Sequence, residues 1–229
     1  MTSYSVYLYG SSARDEQAIH SDTDILVLFK APKSNLEDFQ GLSELDLGEA
    51  SVDLSYYSLK RITEMYREGH LFAWHLYKEA KFLSGADDIL DEIGEPEPYS
   101  NLYDDVYPLV ELMKSSRDRL MASPINLVYE AGLLFVSARN IAMSSSYFSN
   151  EGVTFSAFAP LIVSNFQKPF PISKFDYETL RSARLASVRG LSSPQLNVDW
   201  VLSVGAKLID WAEVIVDDYK ECGYEASFC

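Results

Sequence analysis

Three aspartates carry the chemistry for which this sequence can be read. Asp22 and Asp24 stand two residues apart, directly ahead of the apolar run from Ile25 to Phe29. On a strand that spacing sends both side chains to one face. Two neighbouring carboxylates repel each other unless a cation sits between them. Mg²⁺, or Mn²⁺ in its place, suits such a pair: Mg²⁺ takes oxygen ligands and commonly uses one or two carboxylates together with substrate phosphates. A third acid, Asp53, lies between Val52 and Leu54. Val52, Leu54 and Tyr56 recur at period two, so they are expected to face a core and Asp53 to point away from it. Were this strand to lie beside the first, three carboxylates would meet in a two-metal site. One metal would hold the phosphates of an NTP and the other would lower the pKa of an attacking hydroxyl. Asp53 could also serve as general base, a role worth about 10²–10⁴-fold. Upstream, Gly10 lets the backbone approach a phosphate. Ser11 offers a hydroxyl and an N–H at the start of a helix, where anions are favoured.

Positioning these residues requires strands and helices in alternation. Val6 and Leu8, the run Ile25 to Phe29, the stretch Ala50 to Tyr57, and Lys81 to Leu83 read as strands. Helical spacing is expected near Leu36 to Leu45, Leu59 to Arg67 and Leu71 to Glu79, the last two split at Gly69. The sequence Glu95-Pro96-Glu97-Pro98 reads as a turn-forming linker, which places a domain boundary at 95/96. Beyond it the pattern is helical: Asp104 to Met121, Pro124 to Phe148, Phe155 to Phe166, Asp176 to Arg189 and Asn197 to Tyr219. Ser123-Pro124 reads as an N-cap followed by a first-turn proline. The expected fold class is α+β: an α/β domain over 1–95 with a small mixed sheet, then a helical bundle over 96–229.

Gly10-Ser11, a fixed gap, and then Ser21-Asp22-Thr23-Asp24 resembles the signature of the polymerase-β-like nucleotidyltransferase superfamily, in the style of the minimal and aminoglycoside nucleotidyltransferases. Asp53 falls where that family carries its third acid. Trp74-His75-Leu76 and Lys78-Glu79-Ala80-Lys81 look like its closing helix and strand. The pattern departs at Asp15, where minimal enzymes carry glycine. The resemblance covers residues 4 to 84. It implies metal ligation and catalysis by Asp22, Asp24 and Asp53, and nucleotide contacts from Gly10, Ser11, Arg14 and Ser21. It further implies Mg²⁺-dependent transfer of a nucleoside monophosphate from an NTP to an acceptor hydroxyl, with release of pyrophosphate. The segment from Glu130 to Asn140 resembles HEPN-like bundles. The ribonuclease motif of some HEPN proteins is missing, since the three histidines, His20, His70 and His75, all precede it. The helical half is expected to cover the base and shape the acceptor pocket.

Composition narrows the partners. The formal net charge of −15 over 229 residues disfavours nucleic acid, whose affinity rests on phosphate contacts, and suits a cationic small molecule or a protein acceptor. A non-catalytic NTP-binding or antitoxin-like interaction module is the alternative reading, and a homodimer is compatible with either. Arg139 reads as structural. Arg181 and Arg184, three apart on a helix, share a face that could meet an anion but is more simply solvated. Trp200 and Trp211 are expected in the core. The two cysteines, Cys222 and Cys229, form no disulfide scaffold or zinc motif. No apolar run reaches bilayer length and no signal peptide is evident, so a cytoplasmic location is expected.

Overall fold

The computed structural model describes residues 4–14, 22–30, 52–85, 87–149, 152–163 and 168–222. The chain divides into two compact units, Met1–Ser100 and Asn101–Cys229. The expected helix from Leu36 to Leu45 lies outside the described residues.

In the first unit the order is β1 (Tyr4–Tyr9), α1 (Gly10–Ala13), β2 (Thr23–Phe29), β3 (Val52–Ser58), α2 (Leu59–Arg67), α3 (Leu71–Glu79), β4 (Lys81–Gly85) and α4 (Ile89–Ile93). The four strands form one sheet in the order β3-β2-β1-β4. β1 pairs antiparallel with β2 and β4, and β2 pairs parallel with β3, so the sheet is mixed. β2 is apolar on both sides because both its faces are buried. Leu26 and Leu28 pack with Tyr7 against Ile62, Met65 and Leu76 of the helices. Ile25 and Val27 pack with Val6 and Leu54 on the reverse face.

The sequence pattern on β3 leads to one correction. Val52 is 37% exposed, and Leu54 is half-buried beside the smaller, reverse cluster. Asp53 therefore shares its face with the larger core beneath α2 and α3, at the strand end that the apolar residues leave open. Periodicity reports alternation but not which face receives the helices.

Local chemistry sets the helix boundaries. Ser58 caps α2 by accepting from the Arg61 N–H at 3.2 Å. His70 caps α3, its Nδ1 accepting from the Phe72 N–H at 3.1 Å. Between them Gly69 has φ +61°, and a Cβ there would stand 2.2 Å from the Pro98 carbonyl oxygen. The Glu95–Pro98 segment is consequently tied to the first unit. The Glu97 N–H donates to the Tyr66 carbonyl at 2.8 Å and the Trp74 indole donates to the Glu97 carbonyl at 3.1 Å. The division of the chain falls beyond it, after Ser100.

The second unit is helical: α5 (Leu102–Ala122), α6 (Leu127–Ser146), α7 (Ala159–Ile162), α8 (Lys174–Arg189) and α9 (Val198–Cys222). The fold class is α+β. Helix α6 packs against α5, α8 and α9. Its Gly132 lets α8 come close, since a Cβ there would lie 3.0 Å from the Arg184 Cα. Pro124 opens a short 3₁₀ turn, Pro124–Asn126, rather than α6 itself, and the Ser123 side chain makes no cap hydrogen bond. The helix expected from Phe155 is confined, among the described residues, to Ala159–Ile162. Trp211 is buried as expected, but Trp200 is only half-buried and donates from its indole to Asp176 at 3.1 Å. Among the described residues no single helix is long and apolar enough to cross a membrane.

A buried charge stabilises the packing of α5 on α6. The Glu130 side chain is 3% exposed and accepts both arms of the Arg119 fork, each at 2.7 Å. Burial pushes the Glu130 carboxyl up, but the hydrogen bonds from Arg119 and Ser116 outweigh it and hold the group below its ordinary range. A lowered folded-state pKa stabilises the native state above the ordinary Glu range and ceases to do so as pH falls through the folded value. Arg119→Met is thus expected to cost about 2 kcal/mol at pH 7, the scale for stranding a buried charged acceptor beside a half-exposed partner. Urea unfolding should show that cost shrinking as the pH is taken down through the carboxylate range. A pH-independent cost would remove the ion pair from the explanation.

Candidate active site

The site forms where β1 ends and β2 begins. Tyr9 is the register partner of Asp24 across the β1–β2 pair, and Asp24 is the register partner of Asp53 across the β2–β3 pair. Partners in register point to the same face, so the parallel pairing brings together two acids far apart in the chain. Asp22 immediately precedes β2, two residues before Asp24. Asp22 and Asp24 are half-buried and Asp53 is exposed. Next to them the Tyr9 hydroxyl and Ser55 Oγ share a hydrogen bond of 3.1 Å.

Gly10 makes the turn out of β1 with φ +72°, in the left-handed region that favours glycine. A Cβ at this position would stand 2.2 Å from Asp24 Oδ2. The sequence predicts glycine here for a phosphate; the structure adds that Asp24 itself occupies the space a side chain would need. Ser11 lies in α1, half-buried. Ser12 ties this turn to the acid strand by donating from Oγ to the Asp22 carbonyl at 3.5 Å.

Arg14, at the C-terminal end of α1, donates from Nη1 to Glu79 of α3. His75, one turn before Glu79, meets the same carboxylate oxygen, with Nε2 to Oε2 at 2.9 Å. The imidazole also stands edge-on to the Tyr9 ring at 5.6 Å. Asp24 registers all of these charges. Burial, and then the charge of Asp53, push its carboxyl above the ordinary range; His75 pulls it back, Asp22 pushes it further up, and Arg14 pulls it back again. Asp24 is thus a carboxylate short of positive charge.

That shortage is the test of fit for a divalent cation. Asp22, Asp24 and Asp53 are an all-oxygen donor set of the kind Mg²⁺ prefers, and a cation between them would relieve the repulsion felt at Asp24. Among the described residues no three His, Cys, Asp or Glu side chains are gathered closely enough to hold one metal ion. The fit is therefore to the carboxylates taken one or two at a time, with substrate oxygens completing the shell.

Of the residues singled out from sequence, Gly10, Ser11, Asp22, Asp24 and Asp53 come together at this end of the sheet. Arg14 comes with them but is engaged by Glu79. Ser21 and His20 lie outside the described residues. In the helical unit Arg139 donates to the Asn140 side chain at 3.0 Å and lies 5.8 Å from the centre of the Phe135 ring, while Arg181 lies 5.2 Å from that of Phe158. Sequence reasoning missed Glu79 and the part played by His75. The four-residue spacing of His75 and Glu79 on a helix was the available signal.

The site is thus a glycine turn and neighbouring acids at one end of a small mixed sheet. The family model described as the nucleotidyltransferase domain matches residues 2–99. It supports membership of this unit in the polymerase-β-like superfamily and, at a general level, nucleotidyl transfer as its activity. No curated protein matches the chain.

Proposed function

We propose that residues 1–100 transfer a nucleoside monophosphate from an NTP to an acceptor hydroxyl with the help of Mg²⁺. The observation that carries this reading is the pairing of Asp24 with Asp53 in register, beside a glycine turn with no room for a side chain. The Gly10 backbone and Ser11 grip the triphosphate, joined by Arg14 and Ser21. Asp22 and Asp24 hold the cation; when bound, it neutralises phosphate charge and acidifies the attacking hydroxyl. Asp53, exposed at the site edge, takes the hydroxyl proton. The acceptor oxygen forms its bond to the α-phosphorus as the bond from that phosphorus to the bridging oxygen breaks, and pyrophosphate leaves with the electron pair.

Residues 1–100 contain 19 acidic and 8 basic side chains. That imbalance favours an amine-bearing small molecule or a protein side chain as acceptor over a nucleic acid. We read the helical unit as HEPN-like on the strength of its Glu130–Asn140 segment, and the protein as cytoplasmic. Calorimetric titration with ATP, GTP, CTP and UTP in the presence of Mg²⁺ tests the proposal. Metal-dependent binding of at least one NTP is expected, and its loss in Asp22→Asn/Asp24→Asn. Binding that survives the double substitution would overturn the site. Binding without pyrophosphate release against any amine or protein acceptor would point instead to a nucleotide-binding interaction module.

A further inference from the structure

Glu79 is out of place electrostatically. Its side chain is only 10% exposed, and it adds a carboxylate beside the turn that is to receive a polyanionic triphosphate. By charge alone it opposes anion binding, so its use must lie in what it holds. It holds two groups through a single oxygen: Oε2 accepts from Arg14 Nη1, and the same atom lies 2.9 Å from His75 Nε2. Those are the two side chains whose positive charge, carried by His75 only when protonated, favours the ionised form of Asp24. Their origins differ. Arg14 ends the short turn after β1, whereas His75 and Glu79 lie on α3, which is anchored in the core by Ala73 and Leu76. His75 is further confined by the rings of Tyr9 at 5.6 Å and Phe72 at 6.2 Å.

We infer that Glu79 is a positioning residue of the nucleotide site, fastening Arg14 to helix α3 beside His75 so that the turn from Gly10 to Arg14 presents its guanidinium to the triphosphate in a fixed place. The inference rests on the nucleotidyltransferase reading and adds to it a residue 65 positions from the turn that it controls. An arginine just past a four-residue helix has many rotamers to lose on binding a phosphate; one already held by a buried carboxylate has fewer.

The test is a double-substitution cycle on NTP affinity, read by calorimetry with Mg²⁺ and the best-bound nucleotide of the wild type, alongside melting temperatures. Glu79→Gln is expected to weaken binding by about tenfold, the scale of one charge-assisted hydrogen bond, with a melting temperature close to that of the wild type. Arg14→Gln should weaken it at least as much. Arg14→Gln/Glu79→Gln should bind no more weakly than Arg14→Gln alone, because Glu79 acts through Arg14. Should Glu79→Gln fold poorly, Arg14→Lys replaces it: the charge remains but the fork does not, and binding should still fall severalfold. Wild-type affinity in Glu79→Gln, undiminished affinity in Arg14→Lys, or effects of the two substitutions that simply multiply would overturn the inference while leaving the nucleotidyltransferase reading intact. A wild type that binds none of the four nucleotides would bring down both, and would do so before any variant is compared.

Discussion

Asp24→Asn is expected to lower nucleotidyl transfer by about 10³-fold or more, the several kcal/mol that loss of a metal-assisted interaction implies. It is also expected to raise the melting temperature at pH 7 in the absence of divalent cations. Both effects come from the same crowding. Burial and the charges of Asp53 and Asp22 push the Asp24 carboxyl up, so the native state binds its proton more tightly than the unfolded chain does. Stability then falls as pH rises from the ordinary Asp range through the folded-state value. Asparagine keeps the shape and removes the charge. The gain in melting temperature should therefore be present at pH 7 and disappear once the pH is below about 3.9, where the wild-type carboxyl is protonated in both states. Scanning calorimetry over that range, paired with a pyrophosphate-release assay, checks both halves. Full transfer activity would remove Asp24 from the chemistry, and a lower melting temperature at pH 7 would show that its charge is not under strain in the fold.

Gly10→Ala should damage the candidate site by adding a single methyl. The left-handed backbone costs a non-glycine residue about 1–2 kcal/mol, before any clash is counted. The new Cβ would also stand 2.2 Å from Asp24 Oδ2, a separation that cannot persist. Either the turn bearing Ser11 and Arg14 shifts or Asp24 swings away from Asp53. A displacement of about 1 Å at a reacting centre can cost 10²-fold in rate, and a loss of that order is expected, together with weaker NTP binding. The cause is separable. If the carboxylate is the obstacle, Asp24→Gly should restore part of the stability lost in Gly10→Ala, leaving only the backbone strain. Melting temperatures that add independently would show that Gly10 and Asp24 do not meet.

Much of this site is legible in the residues alone. The two-residue spacing of Asp22 and Asp24 indicates a shared face whatever the sheet order, because alternation along a strand is strict. The limits of α2 and α3 follow from their own punctuation, with Ser58 and His70 at the starts and Gly69 between. Relations between distant segments are not legible. Nothing in the residues around Asp53 says that β3 pairs with β2 in parallel, or that the helices settle on the acids' side of the sheet, which is why periodicity assigns Val52 to a core. The Arg14–Glu79 pair joins positions that no periodicity connects. Glu130 looks like any helix acid until Arg119 is found across the packing of α5 on α6.

The parallel pairing of β2 with β3 has an evolutionary side. Asp24 meets Asp53 only in one register, and a shift of a single residue turns every β3 side chain to the opposite face. A one-codon insertion within β3, between Asp53 and Leu54, would set the new residue beside Asp24 while leaving all three acidic codons unaltered. A lineage could lose its chemistry in that one event and keep a serviceable fold with all three aspartates still written in the gene. In relatives of this chain, a census of acids would then count silent copies as enzymes, whereas the number of residues from the third acid to the end of its strand would tell them apart.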